Sequence, residues 1–89
     1  MKVLIVDDDA LIRESLKLLL ELEEDIEVIG TASNGQEAYR FCQDEKPDVI
    51  LMDVRMPVMD VVLGTKLIKD TFKDVKVIIL TTFKDDEYI

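Results

Sequence analysis

Val3-Leu4-Ile5-Val6-Asp7-Asp8-Asp9 is the stretch that decides the fold: four apolar residues, rich in β-branching, that end abruptly in three aspartates. A run that short, with no polar alternation, predicts a strand buried on both faces of a parallel sheet. Directly after it, Leu11, Ile12, Leu16, Leu19 and Leu20 recur at helical spacing, with Arg13, Glu14, Lys17 and Glu21 between them. Asp9 is placed to cap that helix. Strand, acidic turn and amphipathic helix make the first half of a βαβ unit.

The pattern repeats. Residues 26–32 read as a second strand, Ser33-Asn34-Gly35 as a turn, and Ala38, Tyr39 and Cys42 as the apolar face of a second helix that stops at Lys46-Pro47. Val49-Ile50-Leu51-Met52 is another doubly buried strand and again ends in an aspartate, Asp53. A third helix is predicted over residues 61–72, although Gly64 interrupts it. Val77-Ile78-Ile79-Leu80 forms a fourth strand ending in Thr81-Thr82, and Asp85-Asp86-Glu87 starts a further helix. Alternating strands and helices with short connections predict a doubly wound α/β fold, flavodoxin-like, with four parallel strands and about three helices.

Composition narrows the function. Eighty-nine residues make one domain at most, and 48% hydrophobic content is enough for a core. Eleven basic against twenty acidic residues leave a net charge of −9, which argues against direct contact with DNA or an anionic membrane. The chain has no histidine, so Ser–His and Cys–His catalysis and imidazole-bound zinc are excluded within it. Cys42, the sole cysteine, reads as a small buried residue. Met52, Met56 and Met59 read as packing and loop filling, and Glu21 to Asp25 as a solvated helix end. No signal peptide and no apolar run near the ~20 residues of a membrane span is present, so a cytoplasmic location is expected.

Parallel strands direct their carboxyl ends to one side of the sheet, where ligands sit at the topological switch point. Three strands here end in oxygen-bearing side chains: Asp7 and Asp8, Asp53, and Thr81. Any one aspartate alone could be a helix cap; three strand ends together point to a site. Clustered carboxylates repel one another and favour a hard, oxygen-seeking cation such as Mg²⁺.

The segments Val3-Leu4-Ile5-Val6-Asp7-Asp8, Met52-Asp53-Val54-Arg55-Met56-Pro57 and Val77-Ile78-Ile79-Leu80-Thr81-Thr82 resemble, in order and interval, three signature segments of bacterial response-regulator receiver domains. The wording Ile79-Leu80-Thr81-Thr82-Phe83 looks like receivers joined to a LuxR-type helix-turn-helix. The resemblance covers residues 1–89 and implies a role for each strand-end residue. Asp53 accepts a phosphoryl group from a sensor histidine kinase. Asp7, Asp8, Asp53 and the backbone carbonyl of Arg55 hold Mg²⁺, with Asp7 acting mainly through bound water. Thr81 donates its hydroxyl to a phosphoryl oxygen. The product is a signalling switch with transcriptional output, not a turnover enzyme, and DNA would be reached only through a separate C-terminal domain.

The chain departs from the family in two ways. It ends at Ile89, before the fifth strand, its lysine and its aromatic switch residue, so it is expected to be the N-terminal portion of a receiver; Lys84 does not match that lysine. Val58 and Val61 stand where many receivers have glycine, and a valine at 61 carries strain if the backbone there needs a positive φ. Ending after strand four is also expected to leave Val77 to Leu80 as an apolar edge that favours self-association. Two other readings remain open. One is a receiver fragment that no longer switches and only binds itself or a partner. The other is an aspartyl-nucleophile phosphatase of the haloacid-dehalogenase kind: Asp53-Val54-Arg55 lacks its Asp-x-Asp arrangement, whereas Asp7-Asp8-Asp9 offers it nominally.

Overall fold

A computed structural model describes residues 1–53 and 58–80, with the description of Asp53 and residues 58–61 limited to the backbone. Its elements run β1 (Lys2–Val6), α1 (Ala10–Leu20), β2 (Glu27–Ala32), α2 (Gly35–Asp44), β3 (Val49–Asp53), α3 (Val58–Thr71) and β4 (Lys76–Leu80). The four strands form one parallel sheet in the order β2-β1-β3-β4. The doubly wound α/β fold expected from the alternation is therefore what the chain adopts.

The apolar runs split between the two faces as the pleat requires. Leu4 and Val6 of β1 join Ile50 and Met52 of β3 in one core cluster, closed by Ala38 and Cys42 of α2 and Ile68 of α3. Val3, Ile5 and Val49 point the other way and pack against Leu16 and Leu20 of α1, with Ile26 and Val28. Helices thus cover opposite faces, and the strand order reverses between β1 and β3. Cys42 is a buried free thiol, and burial pushes its pKa up, which suits a packing residue better than a nucleophile.

At the amino end of the sheet one residue sets the strand alignment. Asp48 donates its N–H to the Lys2 carbonyl and accepts the Lys2 N–H on Oδ2, both at 2.8 Å, while its own carbonyl accepts from Lys76 N–H at 3.1 Å. β1, β3 and β4 are tied together there before the first ladder pair.

Three local expectations change. Asn34 is not a turn residue but the N-cap of α2, with Gly35 as the first helical residue. α3 begins at Val58 rather than at residue 61. Val61 therefore has helical backbone, and no non-glycine residue among those described has a positive φ, so the anticipated strain at Val61 is absent.

Gly64 does not interrupt α3, because it faces α2. A Cβ at Gly64 would lie 2.8 Å from Gly35 Cα, closer than real carbon contacts allow. The two glycines let the helices approach backbone to backbone, while Tyr39 and Phe72 pack ring to ring with centroids 5.8 Å apart. Gly64→Ala is expected to destabilise the fold by about 1–2 kcal/mol, as overpacking outweighs the gain of up to ~1 kcal/mol in helix propensity. Chemical denaturation compares the two; a more stable variant would mean that α2 and α3 can separate freely.

Candidate functional site

The site is built where β1 and β3 end. Val6 pairs with Met52 in parallel register, so the next residues along the two strands, Asp7 and Asp53, are neighbours. Asp53 is itself the last residue of β3 and pairs with Leu80 of β4. This is the reversal point of the sheet, where a crevice opens in such folds.

The three consecutive aspartates have three different fates. Asp7 is fully buried. Its N–H still donates to the Ala32 carbonyl of β2 at 3.1 Å, and its Oδ1 accepts the Asp9 N–H at 2.8 Å. Asp8 is exposed. Asp9 has left the strand and caps α1, accepting Leu11 N–H on Oδ1 at 2.8 Å, the role expected from its position. The chain leaves the doubly buried strand after Val6, so Asp7 is still held inside by β2 while Asp8 emerges to solvent, and the third residue caps the helix.

The neighbouring β2–α2 turn is held by a reciprocal arrangement of side chains. Asn34 Oδ1 accepts Glu37 N–H at 2.9 Å. Glu37 reaches back so that its Oε1 accepts both the Ser33 N–H at 2.8 Å and the Ser33 hydroxyl at 2.5 Å. These bonds satisfy donors at the helix start in the manner of a capping box. The Ser33 hydroxyl, then the Ser33 amide, hold the Glu37 carboxyl below its ordinary range against a small opposing effect of burial, with Arg13 and Arg40 adding attraction.

Arg55 and Thr81 lie outside the described residues, as does the side chain of Asp53. Among the described residues no three acidic or thiol side chains form a metal-binding group; of the candidate ligands only Asp7 and Asp8 have described side chains. Their chemistry suits a hard divalent cation: one carboxylate is buried and braced, the next is open to solvent. A depression of about 440 Å³ between α2 and α3 is lined by Asn34, Gly35, Gln36, Leu63, Gly64 and Leu67. It includes none of these aspartates and no titratable group, so it offers nothing for phosphoryl or metal chemistry.

Sequence reading missed two contributors, Asp48 and Arg13. Asp48 carried a weak signal, a residue after proline at a strand start. Arg13 was read as a polar residue between helical leucines, yet its Nη1 donates to the Asp7 carbonyl at 2.6 Å.

Comparison with known proteins agrees with this geometry. The response regulator receiver domain family matches residues 3–89. The transcriptional regulatory protein LnrK of Bacillus subtilis (strain 168) is 51% identical over 88 residues, covering 99% of this chain and 40% of that protein. A DNA-binding response regulator of the LuxR family from Staphylococcus aureus superimposes with a TM-score of 0.80 at 30% identity, over 98% of this chain and 72% of that one. CheY in the CheX–CheY–BeF3–Mg²⁺ complex of Borrelia burgdorferi is similar at a TM-score of 0.79 and 28% identity, over 98% of this chain and 66% of that one. The chain belongs to the response-regulator receiver family. It spans about two fifths of the length of the curated relatives it matches.

Glu37 gives the site a titration that can be read directly. Its folded pKa is depressed below the ordinary 4.5. The stability it contributes is therefore fully present above that value and is lost as pH falls through the folded one. Glu37→Gln is expected to flatten the decline of melting temperature as pH drops below 4.5. Parallel acid melting curves for the two proteins would show that the Ser33–Glu37 contact contributes nothing.

Proposed function

We propose that this chain is a phosphoacceptor signalling module in which Asp53 takes a phosphoryl group from a phosphohistidine of a sensor kinase. The observation that carries the reading is the parallel register of β1 and β3, which sets a fully buried Asp7 beside Asp53 at the reversal point of the sheet. In the transfer, a carboxylate oxygen of Asp53 attacks phosphorus, the P–N bond to the donor imidazole breaks, and that nitrogen keeps the bonding pair. A carboxylate is a weak nucleophile toward an anionic phosphoryl group, so charge neutralisation and alignment control the rate. Mg²⁺, when held by the acidic residues, would supply that charge neutralisation.

The chain's own residues divide the remaining work. Asp8, exposed, and Asp53 would offer carboxylate oxygens to the cation, Asp7 would act from its buried, braced position mainly through bound water, and the Arg55 carbonyl would complete the protein's share. The Thr81 hydroxyl would donate to a phosphoryl oxygen, and its approach would bias the output surface of the domain. The histidine needed as donor comes from the partner, because this chain has none. The reading sets the reaction in the cytoplasm, with DNA contacted by a separate domain. No helix among the described residues is long and apolar enough to cross a membrane.

Self-association is the second part of the proposal. β4 is an edge of the described sheet, and Ile78 and Ile79, on its opposite faces, are 49% and 40% exposed. An apolar edge strand of this kind pairs with another chain. Sedimentation at rising concentration and salt is expected to show dimers or larger species; a monomer throughout would exclude the edge as an interface.

Incubation with acetyl phosphate and Mg²⁺ is expected to add one phosphate, seen by intact-mass spectrometry, and Asp53→Ala to abolish it. Labelling that survives in the variant would overturn the assignment. The acidic run is expected to split by role: Asp8→Asn lowers the rise in melting temperature produced by Mg²⁺, whereas Asp9→Asn, which keeps a capping oxygen, leaves it nearly unchanged. Equal losses would assign the cation to different ligands.

A further inference from the structure

Of the contacts that converge on Asp7, one comes from a residue that the phosphoacceptor reading leaves without a task. The Asp7 N–H is held by the Ala32 carbonyl and its Oδ1 by the Asp9 N–H. Its carbonyl oxygen is held by Arg13, whose Nη1 donates at 2.6 Å. Arg13 is partly buried one turn into α1, where its own N–H donates to the Asp9 carbonyl at 3.0 Å. Its charge also acts on Glu37 of α2, the residue that closes the β2–α2 turn through Ser33. One side chain thus connects the end of β1, the start of α1 and the start of α2.

The carbonyl that Arg13 grips belongs to the peptide joining Asp7 to Asp8. That unit is planar, so fixing its oxygen fixes the direction in which the chain enters Asp8. Asp7 is already immobile on both other sides; Asp8, exposed, has no comparable brace among its described hydrogen bonds. The orientation of this single peptide therefore decides how the two carboxylates stand relative to each other. We propose that Arg13 is the positioning residue of the acidic site, holding the Asp7–Asp8 peptide so that both carboxylates meet one divalent cation together. The inference rests on the phosphoacceptor reading and adds to it a residue that touches neither metal nor phosphoryl group.

Two simpler roles predict different outcomes. If Arg13 acted only as a nearby positive charge, its removal would strengthen cation binding, because like charges repel. If it were only a packing element, removal would lower thermal stability and leave the affinity of the folded protein unchanged. Positioning predicts weaker binding in spite of the lost repulsion. Partners that orient metal ligands change affinity by about 10–100-fold, and with repulsion relieved the expected loss is near the lower end.

The test is isothermal titration calorimetry of the full chain with Mg²⁺ alone, for wild type, Arg13→Gln, Arg13→Met and Arg13→Lys, with melting curves recorded beside it. Arg13→Gln and Arg13→Met are expected to bind about tenfold more weakly. Arg13→Met keeps the aliphatic stem and provides a second neutral variant should the first fold poorly. Arg13→Lys, with an ammonium able to donate to the same carbonyl, is expected to recover part of the loss. Binding as tight as wild type, or tighter, in either neutral variant that folds would overturn the inference and leave the phosphoacceptor reading standing. Absence of Mg²⁺ binding in wild type would overturn both.

Discussion

β1 pairs in parallel with β2 on one side and β3 on the other, and the rest of the molecule depends on that double pairing. A strand with neighbours on both edges and helices on both faces exposes nothing, and Val3, Leu4, Ile5 and Val6 are each at most 2% accessible. Burying side chains of this size contributes about 1.5–3 kcal/mol each, so the alignment of β1 resists slippage. A shift by one residue would exchange its two faces, sending Leu4 and Val6 away from α2 and α3. The same shift would move Asp7 away from Asp53. Core packing and site geometry are thus one constraint: the hydrophobic contacts that fix the strand also fix which aspartates lie side by side along the sheet.

The acidic run after β1 shows how little sequence is needed to differentiate a site. Three identical residues become a buried carboxylate, an exposed one and a helix cap. No side-chain difference separates them; the end of β1 and the start of α1 do. The arrangement also explains how a carboxylate is tolerated at full burial. Asp7 keeps its amide in the ladder, lends an oxygen to the Asp9 amide, and has an arginine on its carbonyl. These partners come from within six residues along the chain and from the adjoining strand.

Much of this was legible in the sequence because it is local. The strands follow from unbroken apolar runs, α1 from its leucine spacing and Asp9, and the convergence of Asp7 with Asp53 from parallel strands with matching aspartate ends. What escaped depends on pairs of residues that the apolar pattern does not link. Gly64 looks like a helix breaker until Gly35, on another helix, is seen to need the space. Asn34 looks like a turn residue until Glu37 closes back onto Ser33. Val58 and Val61 suggested a loop because they stand where the receiver family has glycine, yet α3 runs through both. Asp48 and Arg13 carried almost no signal, since a charged residue on a strand end or helix face is ordinarily solvated. Their importance lies in the backbone groups they reach, the Lys2 N–H and the Asp7 carbonyl, and sequence pattern does not report those.

β4 supplies the contrast that joins the site to the surface. Val77-Ile78-Ile79-Leu80 is as apolar as Val3-Leu4-Ile5-Val6, but two of its residues are 40–49% exposed whereas β1 is closed to solvent. The difference is position in the sheet, not composition. A surface that covers Ile78 or Ile79 therefore gains hydrophobic free energy of order 1 kcal/mol per side chain, and Ile79 lies one ladder step from Asp53, which pairs with Leu80. A phosphoryl group on Asp53, as proposed, that shifted this last pair would also alter the edge, and a partner on the edge would act on the same pair. Such coupling would be reciprocal in free energy, so that under the proposed function occupancy of Asp53 and occupancy of the edge would each bias the other.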